Sequence, residues 1–175
     1  MTKPKIVKLE ATCVAGYLHK TTHSNNTIPA FWQEVFEDGR HEKLHKQDFA
    51  ANHMDYGICF DEKGDADAMN YILGLAAKPG ADIPVEFVQH NLAQGEYAVI
   101  ATAPTTPGGA EFAANIQALW PAVYEWLENH AEYAADHEGS SFELYRCDCT
   151  DDTECQNCIS GMMVCEVYVA VKHKQ

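Results

Sequence analysis

The chain has 175 residues, of which 46% are hydrophobic, and its formal net charge is −14. This length suits one globular domain, or two small repeats fused around a single core. So acidic a surface repels phosphate backbones and no apolar run approaches about 20 residues, so we expect no direct nucleic-acid binding and no membrane segment.

The first half is predicted to form strands around one helix. Residues 6–18 are extended, with a turn or bulge at Ala15-Gly16. A polar loop at 21–27 precedes a helix that Pro29 opens and that ends near residue 39. Its apolar positions are Phe31, Trp32, Val35 and Phe36. Residues 40–52 are expected to be irregular or weakly helical, strands 55–60 and 69–77 form a hairpin, and residues 78–82 look like a linker.

The second half repeats this order. Residues 86–92 and 97–102 are extended, and a helix is predicted over 110–130, with a kink or restart at Pro121. The apolar stripe of this helix recurs every three or four residues, at Ile116, Leu119, Trp120, Val123, Tyr124 and Leu127. A strand at 141–146, an acidic loop at 147–161 and a last strand at 162–172 follow.

The repeat has a consistent register. The aromatic and valine positions of the two helices correspond at an offset of 88 residues (120−32, 123−35 and 124−36). Tyr56 and Phe142, in the strands that follow, differ by 86 (142−56). Two strand–helix–strand–strand units predict one pseudo-symmetric α+β domain.

Glu143 is the most suggestive single placement. Strand alternation sends Phe142 and Leu144 to one face and Glu143 and Tyr145 to the other. Gly57 occupies the corresponding position in the first half, so symmetric packing does not easily explain the charge. Glu143 is therefore either a solvated strand residue or the carboxylate of a functional site.

Short motifs along nearly the whole chain, from about Lys5 to Lys172, resemble the GyrI-like effector-binding domain. In the first half these are Val14-Ala-Gly-Tyr-Leu, Ile28-Pro-Ala-Phe-Trp and Asp55-Tyr-Gly-Ile-Cys. In the second half they are Gly95-Glu-Tyr-Ala-Val-Ile, Leu119-Trp120, Trp126-Leu127-Glu128, Phe142-Glu-Leu-Tyr and Glu166-Val-Tyr-Val-Ala-Val-Lys. No single motif is long, but their order and spacing together are fairly specific.

The resemblance implies a single α+β domain over residues 1–175, with an antiparallel sheet and two main helices. It would be a tandem pseudo-symmetric βαββ-type repeat (about 5–78 and 84–172) around a ligand cleft. The cleft of such domains takes flat, lipophilic, often cationic small molecules. Glu143 matches the family's pocket acid, and the aromatic candidates around it are Tyr56, Tyr97, Trp120, Tyr145 and Tyr168. Core packing is the alternative interpretation for each aromatic residue.

Three functions remain open. The main hypothesis is a non-catalytic module for lipophilic, cationic aromatic molecules, because Glu143 lies amid aromatic residues in an acidic chain. We expect a stand-alone member of the family, since the sequence begins directly with the effector domain. The second is a hydrolase of strained electrophilic cyclopropane-type toxins. In it Glu143 would act as general base and a tyrosine (Tyr145, Tyr56 or Tyr97) would hold or protonate the leaving position. The third is a protein-interaction module such as a gyrase inhibitor, whose acidic surface imitates nucleic acid.

Two further clusters contain residue types that bind metal ions. Cys147-Asp-Cys149 and Cys155-Gln-Asn-Cys158 could supply four thiolates to one Zn²⁺, although their gap is short for a zinc ribbon and the resemblance requires no metal. A disulfide or free thiols are the alternatives. His41 and His45 could share a helix face, but no acidic third ligand is obvious in the sequence, so a solvated polar segment is expected.

The compartment follows from the N-terminus and the cysteines. The first five residues, Met-Thr-Lys-Pro-Lys, lack the apolar stretch of a secretory signal. We therefore expect a cytoplasmic protein whose seven cysteines are mostly reduced. The sequence gives neither the oligomeric state nor the identity of the ligand.

Overall fold

The computed structural model describes residues 1–61, 64, 65, 67–147 and 161–174. It divides into two compact units: Thr12–Leu92, called the inserted unit, and Met1–Ala11 with Ala93–Gln175, called the terminal unit. In chain order the elements are β1 Lys5–Leu9, β2 Thr12–Thr22, α1 Ile28–Glu37, α2 Arg40–His45, β3 Ala50–Asp61, β4 Ala68–Ala77, β5 Val88–Leu92, β6 Gly95–Ala101, α3 Gly109–Glu128, β7 Tyr133–Ala135, β8 Ser141–Cys147 and β9 Met163–His173.

The inserted unit carries an antiparallel sheet in the order β3-β4-β2-β5. Helix α1 buries Phe31 and Val35 against Tyr71 and Leu73 of β4. A second apolar cluster consists of Ala15, Leu44, Phe49, Leu75 and Phe87. Leu44 is the buried residue of the short helix α2, and its burial fixes the helix against the core.

Two glycines bring the backbones of β2 and β4 into close approach. Gly16 lies directly opposite Gly74 in an unbroken run of pairs from Val14 to Thr22. A Cβ atom at Gly16 would lie 2.0 Å from the carbonyl oxygen of Leu73. The predicted turn or bulge at Ala15-Gly16 is therefore wrong: the glycine is required for a tight strand pair, not for a change of direction.

The terminal unit carries an antiparallel sheet in the order β1-β6-β9-β8, with β7 paired to β9. Helix α3 buries Leu119, Val123 and Leu127, which are spaced by fours along one stripe. The helix continues through Pro121 and does not restart there. Buried residues on both sides of the proline hold the helix in place despite the backbone hydrogen bond that proline removes.

Both units share one connectivity. In each, one strand is followed by helix and then by two long strands, and the second of these lies between the other two (β3-β4-β2 and β8-β9-β6). In the terminal unit the short strand β7 comes between α3 and β8. Each unit also has an extra edge strand: β5 pairs with β2, and β1 pairs with β6. The predicted antiparallel α+β fold is confirmed.

Several boundaries differ from the sequence prediction. Residues 6–18 form parts of two strands, separated at residues 10–11, because the partners of β1 and β2 belong to different units. Strand β7 was not predicted, since three residues are too few to show alternation. Within the described residues no helix has both the length and the apolar character that crossing a bilayer demands.

His90 gives the inserted unit a pH dependence that can be measured. Its ring stacks on Phe60 with centroids 4.6 Å apart, and burial lowers the pKa of His90 below its usual 6.5. The unfolded chain therefore binds a proton at a higher pH than the folded chain does, so stability falls as pH drops below about 6.5. We expect the free energy of unfolding from urea titrations to decline less steeply in this range in His90→Gln. Parallel curves for both proteins would contradict the prediction.

Candidate functional site

Strand β8 places Glu143 and Tyr145 on the same face of the terminal unit's sheet. Glu143 pairs with Val167 and Tyr145 with Cys165, whereas the intervening Leu144 points to the other face. Glu143 is buried, with 8% of its surface exposed. The expectation of a solvated strand carboxylate is thus not what the structure shows.

Aromatic donors hold both oxygens of the Glu143 carboxylate. The indole Nε1–H of Trp120 donates to Oε1 at 2.8 Å, and the hydroxyl of Tyr145 donates to Oε2 at 2.6 Å. Both distances lie within the ordinary range for hydrogen bonds to oxygen. Trp120 follows the buried Leu119 on α3, so the helix stripe that forms the core also aims the indole at the strand. Phe112, near the start of α3, packs near the ring of Tyr145, with the ring centroids 6.3 Å apart.

Cys165 lies beside this group and is fully buried. Burial and the negative charge of Glu143 raise the pKa of the Cys165 thiol far above its ordinary value, against a hydrogen bond with Tyr145 that lowers it. The thiol is therefore neutral at physiological pH. Since the thiolate is the nucleophilic form, Cys165 acts as an apolar neighbour of the carboxylate.

Two of the predicted aromatic residues lie elsewhere in the terminal unit. Tyr168 pairs with Phe142 and stacks on its ring at 4.6 Å, on the sheet face opposite Glu143. Tyr97 contacts the same Phe142 ring at 5.7 Å and donates its hydroxyl to the carbonyl of Ala93. The structure thus brings Trp120 and Tyr145 to Glu143, and gathers Tyr97 and Tyr168 around Phe142.

The inserted unit shows what the same position looks like without a charge. Gly57 pairs with Leu73, which packs with α1, so it occupies the helix-covered face as Glu143 does. Tyr56 is half-buried on the opposite face. Trp32, the counterpart of Trp120, donates its indole N–H to the hydroxyl of Tyr71 at 2.7 Å. A tryptophan donor is common to both units, but its acceptor is neutral in one and a carboxylate in the other.

The cysteine metal prediction cannot be placed in the structure. Cys149, Cys155 and Cys158 lie outside the described residues, as does the side chain of Cys147. The thiolate zinc site therefore stays a prediction from sequence.

Sequence reasoning missed a group of three possible ligands in the inserted unit. The ligand atoms of His41, His45 and Asp55 lie within 4.8 Å of one another. The third, acidic member comes from β3, ten residues after the second histidine. The available signal was the pattern His41-Glu-Lys-Leu-His45, since H-E-x-x-H places two histidines on one helix face for metal binding.

Comparison with protein families matches residues 5–171 to the Cass2 model, described as integron-associated effector binding protein. The chain belongs to this family. Sequence comparison with curated proteins gives no match. Membership confirms the predicted effector-binding resemblance, and it assigns this Cass2 domain to small-molecule binding as a general class.

Solved structures share the fold. SAV2435 bound to tetraphenylphosphonium is similar with a TM-score of 0.68 and 19% identity, over 98% of this chain and 94% of that chain. A putative transcription regulation protein from Staphylococcus aureus MU50 has the same TM-score at 17% identity, over 98% and 99% of the two chains. The integron cassette protein VCH_CASS2 from Vibrio cholerae has a TM-score of 0.60 at 15% identity, over 97% and 95%. These TM-scores, over nearly the whole of each chain, show that the Cass2 domain has the GyrI-like fold.

Proposed function

We propose that this Cass2 domain binds lipophilic aromatic cations and that Glu143 is the anionic group that selects them. The observation that carries the proposal is the buried carboxylate, held on both oxygens by the N–H of Trp120 and the O–H of Tyr145. Both donors are neutral, so these two hydrogen bonds orient the carboxylate without cancelling its formal charge.

The physics favours a cationic guest. Desolvating a carboxylate costs several kcal/mol in practice, and hydrogen bonds offset only part of this. Because the effective dielectric constant inside a protein is lower than that of water, Coulomb attraction to the carboxylate stabilises a bound cation even without direct contact with the oxygen atoms. Each aromatic face adds about 0.5–2 kcal/mol of cation–π attraction. A net charge of −14 also raises the local concentration of cations around the protein.

The solved structure of SAV2435 with tetraphenylphosphonium supports this ligand class. That ligand combines a single positive charge with four phenyl rings, which is the chemistry that an acid flanked by aromatic groups would recognise. It is therefore a suitable first probe for this domain.

The test is calorimetric titration of tetraphenylphosphonium into wild type and Glu143→Gln. We expect the substitution to weaken binding at least about tenfold, since one unit of charge attraction is lost while shape is retained. Glu166→Gln is the matched control, because Glu166 also accepts a tyrosine hydroxyl at 2.6 Å, from Tyr168, but lies on the other face of the sheet. Its substitution should leave affinity nearly unchanged.

A neutral probe separates charge from shape. Triphenylphosphine oxide should bind wild type and Glu143→Gln with similar affinity. Equal affinity of tetraphenylphosphonium for wild type and Glu143→Gln, or equal losses in Glu143→Gln and Glu166→Gln, would contradict the role of Glu143.

The contact of 2.6 Å between Tyr145 and Glu143 favours a second candidate, hydrolysis of electrophilic cyclopropane-type toxins. Glu143 would take a proton from water while the water oxygen bonds to one cyclopropane carbon. The strained ring C–C bond would break, and the hydroxyl of Tyr145 would protonate the carbon that is released. Turnover that is lost in Glu143→Gln and reduced in Tyr145→Phe would support catalysis, and a wild-type protein that binds such compounds unchanged would contradict it. Gyrase inhibition stays a prediction that rests on the resemblance and on the acidic surface.

A further inference from the structure

Three ligand-type side chains converge in the inserted unit. Each carboxylate oxygen of Asp55, on β3, is hydrogen-bonded to one imidazole. The Nε2 of His41 lies 3.0 Å from one oxygen, and the Nε2 of His45 lies 2.8 Å from the other. The two imidazoles come from positions four apart on α2, and their ring centroids are 4.2 Å apart. One candidate ligand atom from each of the three side chains lies within 4.8 Å of the other two.

The surroundings of this group are half-buried and partly aromatic. Asp55 is 7% exposed, and the ring of Phe36 packs against the ring of His41 with centroids 4.4 Å apart. Burial raises the pKa of Asp55, but hydrogen bonds from His41 and His45 outweigh it, and the net shift is downward.

We propose that His41, His45 and Asp55 form a binding site for a divalent transition-metal ion of the Zn²⁺ or Co²⁺ type. Two imidazole nitrogens and one carboxylate oxygen are a common ligand set for these ions. Ligand atoms around tetrahedral zinc lie about 3.4 Å apart, since each is about 2.0–2.1 Å from the metal. The two Nε2 atoms lie 3.0 and 2.8 Å from different oxygens of Asp55, and one ligand atom from each residue lies within 4.8 Å of the others. A metal bound through one of these oxygens therefore requires a small rearrangement of the three side chains and loss of the Nε2 protons.

A neighbouring histidine supplies the outer hydrogen bond that metal-binding imidazoles usually have. The Nδ1 of His45 lies 3.3 Å from the Nδ1 of His53. With Nε2 on the metal, the Nδ1–H of His45 can donate to His53, which fixes the tautomer and the ring orientation. His53 is therefore a positioning residue in this proposal and not a ligand.

The proposal is limited to metal binding. In metalloproteases with the H-E-x-x-H pattern, the glutamate acts as general base. Here the corresponding Glu42 is exposed and pairs with Lys46 one turn later on the surface. No residue in this position would activate a metal-bound water, so we assign binding and not hydrolysis. The remaining coordination position would be filled by water or by an incoming ligand.

The experiment uses the full chain with Cys147, Cys149, Cys155 and Cys158 replaced by serine, because thiolates would bind the same ions. Co²⁺ is titrated by calorimetry and by visible absorption. We expect one equivalent to bind with the d–d bands of nitrogen and oxygen ligands and without thiolate charge-transfer absorption. His45→Gln and Asp55→Asn should each weaken binding at least about 100-fold, since even outer-shell changes cost about 10–100-fold.

His90→Gln is the matched control, since His90 lies in the same unit but outside this group. It should retain Co²⁺ binding. In the same background with all ligands intact, Zn²⁺ should shift the imidazole ¹⁵N signals of His41 and His45, a readout that does not depend on whether a variant folds. Absence of Co²⁺ binding, or binding that is equal in the variants and the control, would overturn the proposal and leave a hydrogen-bonded His–Asp–His group.

Discussion

Replacing Trp120 by phenylalanine is expected to cost clearly more stability than replacing Trp32 by phenylalanine. Both substitutions remove the same ring volume and one indole N–H donor. The lost hydrogen bond is to the Glu143 carboxylate in the first case and to the neutral Tyr71 hydroxyl in the second. A hydrogen bond to a charged group contributes about 1.5–3 kcal/mol, against about 0.5–1.5 kcal/mol for a neutral one. Urea unfolding of both variants measures the difference.

The same comparison in a Glu143→Gln background isolates the charge. There the acceptor of Trp120 is neutral, so the extra cost of Trp120→Phe should shrink to that of Trp32→Phe. An unchanged difference would show that ring packing, rather than the buried carboxylate, sets the cost. That result would also weaken the proposed role of Glu143 in ligand selection.

Gly16→Ala is expected to destabilise the inserted unit strongly. The new methyl group would lie 2.0 Å from the carbonyl oxygen of Leu73 and 2.4 Å from the Cα of Gly74, both backbone atoms of the paired strand. Because rotamer changes cannot relieve a backbone clash, the two strands must separate. Overpacking of a core typically costs about 1–3 kcal/mol, and we expect the upper end or more. Thermal unfolding followed by circular dichroism measures the loss.

Gly95→Ala is the control for this substitution. Gly95 also lies in a strand, but the nearest atom to an added Cβ is 4.0 Å away, in the ring of Tyr97. Its replacement should change the melting temperature little. Similar melting temperatures for Gly16→Ala and Gly95→Ala would contradict the close approach of β2 and β4.

The sequence predicted which face of β8 carries Glu143, because strand alternation and helix periodicity are both local. Alternation along β8 puts Glu143 and Tyr145 on one face, and the helical stripe of α3 turns Trp120 toward the core. Both rules act over a few residues, so they need no knowledge of the partner strand. The correspondence between Trp32 and Trp120 predicted from the repeat is also visible in the structure, because each indole N–H donates a hydrogen bond within its own unit.

The same periods did not reveal which aromatic residues would meet the carboxylate. The family resemblance made Tyr168 a candidate, yet its pairing with Phe142 puts it on the far face of the sheet. Register between strands distant in sequence decides such contacts, and a shift of one residue would reverse the result. Asp55 was missed as a partner of His41 and His45 for the same reason: it reaches α2 from a different element.

By itself, then, the sequence pattern determined the type and order of the main elements, the α+β class and the face that Glu143 shares with Tyr145, whereas the antiparallel sheet was implied by the family resemblance. The features that the pattern determined depend on hydrophobic periodicity, which is local. Only the tertiary structure decided that Glu143 is buried under Trp120, that β1 and β5 join strands far from them in sequence, and that His41, His45 and Asp55 converge. These features depend on long-range strand pairing and helix packing. The free energy of burying apolar surface there comes from residues that are far apart in the sequence, so no local pattern reveals them.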